Sequence, residues 1–282
     1  MELWTKEHAI TFIPAFIVMI IIGIVLHFTI GKKSEKIRMI PFQVVAVILV
    51  ILELIKQIHQ LVNGYDLYTL PFHFCSLFIF FPVITAFYNG KFKEQIRSFT
   101  TTALAMLTLF MVIYPNLVYS ATNINEIFSN FMNFHTVVFH NLAVFEFVLV
   151  IALKLHTPNA KRDFKALFIG FSIFCVISAT MAQILKTNFN NFYYCGVAPI
   201  ESLRLSLQGS LGYGLSQTLY VLCVCIADIL FALLSYGLYR LCLFIYNKIK
   251  SCFKPKQSEL DKKDQSKTKE TNADSLQDAK QE

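Results

Sequence analysis

Charged residues are scarce in this chain of 282 residues. Asp, Glu, Lys and Arg make up 15% of it, against roughly 25% in an average globular protein. Hydrophobic residues make up 55%, with 28 Phe among them, and the mean hydropathy is +0.55. Because a water-soluble fold could not enclose so much apolar surface, the composition excludes a soluble enzyme, a disordered chain and a disulfide-stapled miniprotein. It indicates a protein embedded in lipid.

Other signals are missing as well. The seven cysteines are an odd number, and no histidine or second cysteine pair is placed to complete a zinc site beside Cys223 and Cys225. We therefore expect no metal and no cofactor. The net charge of +7 comes without any groove-reading motif, so we expect membrane lipids and no nucleic acid as partners. No small-x-small cleavage site follows the first apolar run, which we keep as a mature helix.

Seven stretches are apolar and long enough for transmembrane helices, which need about 20 residues each. We predict an all-α polytopic bundle occupying residues 1–250. The spans lie near residues 9–30, 39–59, 70–88, 98–119, 131–153, 164–185 and 216–246. Residues 251–282 hold seven Lys, seven acids and almost nothing apolar, which predicts a disordered cytoplasmic tail.

The cations between the predicted spans divide unevenly. Loops 31–38, 89–97 and 154–165 carry eleven Lys and Arg, whereas the opposite side carries only Lys6, Lys186 and Arg204. Because short cytoplasmic loops are enriched in Lys and Arg, this places the N-terminus outside and the C-terminus inside. An odd number of spans requires the same arrangement. The expected location is the cell membrane, crossed several times.

On this topology, most of the unusual polar residues fall in the outer third of the bundle. Glu53, Lys56 and Gln60 share one helix face, either as a structural ion pair or as part of a substrate site. Glu146 and Asp228 lie nearer the middle of the membrane, bridging helices or taking a proton. Ionisable groups at such depths normally face the bundle interior or a water-filled cavity.

Cys75 differs from the other cysteines because it lies at the start of the third predicted helix. Pro71 suits a first helical turn, and first-turn amides favour a thiolate. His73 lies on another face of that helix, so a histidine from another helix, such as His140, is a candidate partner in a nucleophile–base pair. The alternative from spacing alone is that the cysteine and the histidine only fill space in the bundle. His135 points about 140° away from His140, so we expect one of the two in a site and the other bracing helices.

The external loop before the last span is rich in amides and aromatic rings. Residues 188–195 suit a lid or an aromatic belt at headgroup level, and they supply Asn191 and Tyr193 as candidate substrate-binding residues, beside Asn133 in the fifth helix. A short interfacial helix is predicted to start near Ala198, because Pro199 and Glu201 suit a first turn.

Three segments resemble the YwaF-like integral membrane family, which includes human transmembrane protein 164. They are Leu-Pro-Phe-His-Phe-Cys at 70–75, the fifth helix with His140 ahead of Thr157-Pro158, and Asn-Phe-Tyr-Tyr at 191–194 followed by Pro199 and Ser202-Leu203. The resemblance covers residues 68–239. It implies seven spans and, from the human relative, a cysteine-dependent acyltransferase that moves a fatty acyl chain between phospholipids through an acyl-cysteine.

By motif, the resemblance places the nucleophile on Cys75 and the catalytic histidine on His140. His73 or Asn133 would orient the histidine or stabilise the oxyanion. Residues 114–117 (Tyr-Pro-Asn-Leu) lack the acid expected there, which puts a shared third catalytic group in question. The alternatives are a small-solute transporter that uses the intramembrane acids, or a non-catalytic sensor or scaffold.

Overall fold

The computed structural model describes residues 4–119 and 126–252, and within these ranges it contains helices and no strand. Three short 3₁₀ helices occupy Leu67–Thr69, Phe74–Ser76 and Phe189–Asn191. The α-helices are α1 (Lys6–Ile30), α2 (Glu35–Asn63), α3 (Leu77–Phe87), α4 (Lys93–Ile113), α5 (Asn116–Tyr119), α6 (Phe131–Ala152), α7 (Ala160–Leu185), α8 (Ala198–Leu211) and α9 (Tyr213–Cys252).

Six of the described helices are long and apolar enough to cross a membrane, namely α1, α2, α4, α6, α7 and α9. The third predicted span, near 70–88, is much shorter as a helix. Residues 70–73 are not helical, and α3 has 11 residues after the 3₁₀ turn. The placement of Pro71 in a first helical turn is therefore wrong. Proline lacks an N–H and keeps the preceding Leu70 out of the helical region, so this stretch remains irregular.

The fourth predicted span, near 98–119, is also displaced. Helix α4 starts five residues earlier, at Lys93, and ends at Ile113, ahead of Pro115. Tyr114 has φ −143° and ψ 67°, as expected for a residue whose helical conformation is blocked by a following proline. The chain resumes only as the single turn of α5. The predicted start of an additional helix at Ala198 is confirmed by α8.

Helix α4 is the most buried of the six long helices, because it packs against α3, α6 and α7. Three consecutive threonines, Thr100, Thr101 and Thr102, are buried in it. The hydroxyls of Thr100 and Thr102 donate hydrogen bonds to backbone carbonyls one turn earlier in the same helix. Gly170 of α7 faces the ring of Phe99, where a Cβ would come within 2.3 Å of a ring carbon. This glycine allows α4 and α7 to approach closely.

Large aliphatic side chains cover the outside of the bundle. Ile17, Val18 and Ile21 of α1 are each about half exposed, as are Leu222 and Ile226 of α9. Soluble monomers rarely expose contiguous apolar surface of this extent. It suits helices surrounded by lipid.

The chain divides into two compact units, residues 1–237 and 238–282. The first holds α1 to α8 and the beginning of α9. The described part of the second continues α9 to Cys252 and exposes Lys248. The predicted disordered tail lies outside the described residues except for Ser251 and Cys252, which are helical.

Charged side chains form hydrogen bonds at one end of the bundle, which consists of residues 27–38, 94–98 and 152–163. Arg38 donates to the carbonyls of Leu153 and Lys154 at 2.5 and 3.1 Å. The carboxylate of Asp163, at the start of α7, is fully buried and accepts five hydrogen bonds. Its donors are Ser98, His156, Asn159 N–H, Arg162 and Tyr236.

Candidate functional site

A cavity of about 560 Å³ lies among α2, α4, α6, α7 and α9 and the irregular segment before α3. Its volume is within the roughly 300–1,000 Å³ of small-molecule sites. Apolar side chains such as Leu107, Phe110 and Phe174 line part of it. Its polar lining residues include Glu53, Lys56, Asp66, His73, Cys75, Asn133, His135, His140, Asn190, Asn191 and Asp228.

Cys75 and His140 are in direct contact in this cavity. The Sγ atom of Cys75 lies 3.0 Å from Nε2 of His140. On the other side of the ring, Nδ1 lies 2.7 Å from the carbonyl oxygen of Thr136, one turn earlier in α6. Because a carbonyl can only accept, Nδ1 carries the proton of the neutral ring, and Nε2 presents its lone pair to the thiol. A backbone carbonyl thus takes the orienting position for which residues 114–117 offer no acid.

The contact brings together residues that are 65 positions apart. Cys75 is the middle residue of the 3₁₀ turn Phe74–Ser76, which leads directly into α3. His140 lies in the middle of α6 and is 8% exposed. The ring of Tyr119 stands edge-on to the imidazole, with centroids 6.1 Å apart. The aromatic wall and the bond to Thr136 together fix the orientation of the histidine.

His73 lines the cavity but bonds elsewhere. Its Nε2 lies 2.8 Å from the carbonyl oxygen of Tyr68, and its ring packs edge-on against Tyr68 and Phe189. Asn133 lines the cavity as well and is 8% exposed. Both side chains therefore lie within the site, and of the two it is the His73 ring that is already engaged in a hydrogen bond.

Lys56 and Glu53 form an ion pair on the cavity wall, with Nζ and Oε1 2.7 Å apart. Gln57 donates to the same Oε1 at 2.7 Å and to the carbonyl of Thr69 at 3.1 Å, tying α2 to the segment that leads to Cys75. The second oxygen of Glu53 lies 3.7 Å from Nε2 of His135, which is too long for a hydrogen bond. This cluster is charged and buried, and one carboxylate oxygen faces a histidine without a hydrogen bond.

Both His135 and His140 line the cavity, although the sequence predicts that one of them lies in a site and the other braces helices. Their directions do differ, by about 140° around the helix, but they are also separated by about 7.5 Å along it. His135 faces Glu53 on α2, whereas His140 faces Cys75 ahead of α3. A cavity that spans both helices receives both rings.

The family model for the TMEM164 family matches residues 3–235. The chain belongs to the TMEM164 family. No curated protein and no solved structure matches it. The matched residues include the whole lining of the cavity. Together with the six long apolar helices, membership identifies a multi-pass membrane protein.

The two loop candidates of this TMEM164 family member, Asn191 and Tyr193, differ in their relation to the cavity. Asn191 lines the cavity, with a left-handed backbone (φ 61°). Tyr193 is not among the described residues that line it. Its ring packs with the cluster around Phe189 and Phe192, and its carbonyl accepts from Gln217 at 3.0 Å.

Loop 188–196 is attached to α8 and α9 by polar contacts. The hydroxyl of Tyr220 donates to the carbonyl of Asn191. Glu201 of α8 accepts from the guanidinium of Arg204 at 2.6 and 2.8 Å and from the N–H of Cys195 at 2.8 Å. The hydrogen bonds from Arg204, and then that from Cys195, hold the pKa of Glu201 below its usual value.

The two acids predicted nearer mid-membrane differ. Asp228 of α9 lines the cavity. Glu146 of α6 is completely buried away from it, and neither carboxyl oxygen has a hydrogen-bond partner among the residues that the structure describes. Across the same described ranges, no three His, Cys, Asp or Glu side chains form a group that could hold a metal ion.

Sequence reasoning missed two residues that contact the segment before Cys75. The side chain of Asn190 bonds to the backbone of Phe72 and Phe74, and Ser178 of α7 bonds to the carbonyl of Phe72. Neither residue has a spacing that signals this role. The density of Asn in residues 188–191 was the only available hint, and it did not distinguish Asn190 from its neighbours.

Proposed function

We propose that this protein is a cysteine-dependent acyltransferase that remodels the acyl chains of membrane phospholipids. The observation that carries the proposal is the 3.0 Å contact between the Cys75 thiol and the unprotonated Nε2 of His140. A thiol beside an oriented imidazole is the usual arrangement for an activated sulfur nucleophile. The apolar part of the cavity offers room for an acyl chain next to that sulfur.

In the first half-reaction, the sulfur of Cys75 attacks the carbonyl carbon of a lipid ester as His140 Nε2 takes the thiol proton. The tetrahedral oxyanion then collapses, the C–O bond breaks, and His140 returns the proton to the departing lysolipid oxygen. In the second, a lysolipid hydroxyl attacks the thioester, His140 takes its proton, and Cys75 leaves and is reprotonated. Asn133 is the candidate oxyanion donor. A neutral His73 already gives its one N–H to the carbonyl of Tyr68, so it can take part only through Nδ1 as an acceptor. Glu53, Lys56 and Asn191, which line the cavity, are the candidate substrate-binding residues.

The proposed topology has seven spans, with the N-terminus outside, the C-terminus inside and the cavity toward the outer leaflet of the cell membrane. The third span then consists of the segment before α3 together with α3. The eleven-to-three division of cations supports this orientation. Cysteine labelling checks it, since Ser129→Cys should react from outside the cell and Lys248→Cys only after permeabilisation.

Acyl transfer is tested with purified protein in lipid nanodiscs, given a phospholipid with a labelled acyl chain and an unlabelled lysolipid. The wild type should transfer label and carry the acyl group on Cys75 in mass spectra. Cys75→Ala should abolish both, whereas Cys225→Ala, a control at a thiol that packs beside Cys175 and does not line the cavity, should keep them. His140→Ala should slow transfer by about 10²–10⁴-fold. Full transfer by Cys75→Ala would contradict the proposal.

A transporter is the second candidate, because Glu53, Lys56 and Asp228 line the same cavity. Ionisable residues within the membrane often mark solute pathways. Asp228→Asn separates the two functions. It should leave acyl transfer within a few fold if the protein is an acyltransferase, whereas a transporter should lose solute flux and tolerate Cys75→Ser.

A further inference from the structure

The segment that carries Cys75 into the cavity has little regular backbone bonding of its own. Residues 70–73 are neither helix nor strand, and the 3₁₀ turn at Phe74–Ser76 begins immediately after them. The position of a nucleophile on such a segment depends on the contacts that other parts of the chain make with its backbone. The partners of Phe72 and Phe74 are therefore of interest for the position of the thiol.

Those partners converge on one side chain. Asn190 Oδ1 accepts the N–H of Phe74 at 2.7 Å, and Asn190 Nδ2 donates to the carbonyl of Phe72 at 3.0 Å. Nδ2 also donates to Ser178 Oγ at 2.9 Å, and that hydroxyl donates to the same carbonyl at 2.7 Å. The amide thus acts toward residues 72–74 as a neighbouring strand would, satisfying one donor and one acceptor on either side of His73.

The backbone of Asn190 suits this role. It has φ 49° and ψ 35°, a left-handed conformation that asparagine adopts more readily than most residues. The loop around it is fixed independently. Gln183 of α7 donates to the carbonyl of Phe192 at 2.7 Å, and Gln217 of α9 donates to the carbonyl of Tyr193 at 3.0 Å.

We propose that Asn190 is the positioning residue of Cys75, holding the thiol in line with His140 through the backbone of residues 72–74. Asn190 lines the cavity, but in this role it acts through the backbone beside the nucleophile. The catalytic part of the inference rests on the proposed acyl transfer. A displacement of about 1 Å between reacting groups is worth up to about 10²-fold in rate.

Asn190→Gly tests the role, because glycine keeps the left-handed backbone without strain and removes only the side-chain bonds. Single-turnover formation of acyl-Cys75 should fall about 10–100-fold, while KM for the donor lipid changes less than twofold. The pH profile of iodoacetamide alkylation at Cys75, followed on its peptide by mass spectrometry, should approach that of His140→Ala. A purely structural contact would leave this profile unchanged.

Three further variants complete the test. Ser178→Ala should give a smaller loss of about 2–5-fold, and adding it to Asn190→Gly should cost little more, since both side chains hold the same carbonyl. Thr187→Ala is the matched control, because its hydroxyl donates to the carbonyl of Leu185 at the end of α7 and makes no bond to residues 70–75. It should behave like the wild type.

The outcomes are separable. An unchanged rate of acylation in Asn190→Gly, or a raised KM with an unchanged alkylation profile, overturns the positioning role. If Asn190→Gly does not fold, a wild-type profile in Ser178→Ala overturns it. If the wild type forms no acyl-Cys75, the proposed function fails, and the alkylation profiles still decide whether Asn190 positions the thiol.

Discussion

At the end of the bundle that holds residues 94–98 and 152–163, buried Asp163 accepts five hydrogen bonds, whereas at the cavity Glu53 has an oxygen 3.7 Å from the nearest histidine nitrogen. Both carboxylates are at least nine-tenths buried. The Asp163 carboxylate joins α4, α7 and α9, and both of its oxygens accept hydrogen bonds. The Glu53 carboxylate faces open volume with a cation beside it. A buried carboxylate whose oxygens are all hydrogen-bonded stabilises the fold. Polar atoms that face a cavity without a hydrogen bond are available to a ligand.

The largest effect should follow from Asp163→Asn. This substitution keeps the shape of the side chain but places an NH₂ group against donors, so several buried groups lose their acceptor. We expect the free energy of unfolding in mixed micelles to fall by about 3–5 kcal/mol, as when one partner of a buried ionic network is removed. A loss below about 1 kcal/mol would show that the network contributes little to stability.

The matched change at the cavity is Glu53→Gln. Gln57 and Lys56 lose a charged acceptor there, but the new side chain keeps an amide oxygen for them, so we expect a smaller loss than at Asp163, of about 1–3 kcal/mol. Acyl transfer should fall about tenfold in kcat/KM, because Lys56 is no longer held at the wall. A loss of stability as large as that of Asp163→Asn would remove the distinction between the two regions.

The smallest effect concerns pH. The pKa of Glu201 is lowered in the folded protein, so its contribution to stability is present above the unfolded pKa of about 4.3 and is lost as the pH falls through the lower folded value. Because Glu201 is partly exposed, that contribution is at most about 1 kcal/mol.

The wild type and Glu201→Gln should therefore differ in thermal midpoint at pH 7 and converge between about pH 5 and 3. Ser202→Ala is the control, since its hydroxyl bonds only to Ala198 in the same helix. A difference that grows on acidification would contradict the assignment of the lowered pKa to the contact with Arg204.

Helices α1, α2, α6 and α7 were predictable because each is a long apolar run, and length with hydropathy decides such helices almost locally. The third and fourth runs were misread for one reason. Hydropathy does not record where the backbone can be helical, and Pro71 and Pro115 interrupt runs that are apolar on both sides.

Part of the candidate site could also be predicted from the sequence, and part could not. Cys75 and His140 were paired from the sequence, and the i to i+3 pair of Glu53 and Lys56 follows from helix geometry alone. That His135 also reaches the cavity could not be read from its angle on α6, because the answer depends on where α2 packs. Asn190 was missed because its hydrogen bonds join residues more than a hundred positions apart.

The sequence by itself determined that this chain is a helical membrane protein, because its apolar runs cannot be satisfied in water. It also determined which residues carry nucleophilic and basic groups. Only the tertiary structure decided that the thiol of Cys75 lies 3.0 Å from His140 Nε2, and that a carbonyl of α6 orients the ring. Hydropathy is a property of each segment, whereas a distance between side chains on two helices is fixed by how those helices pack.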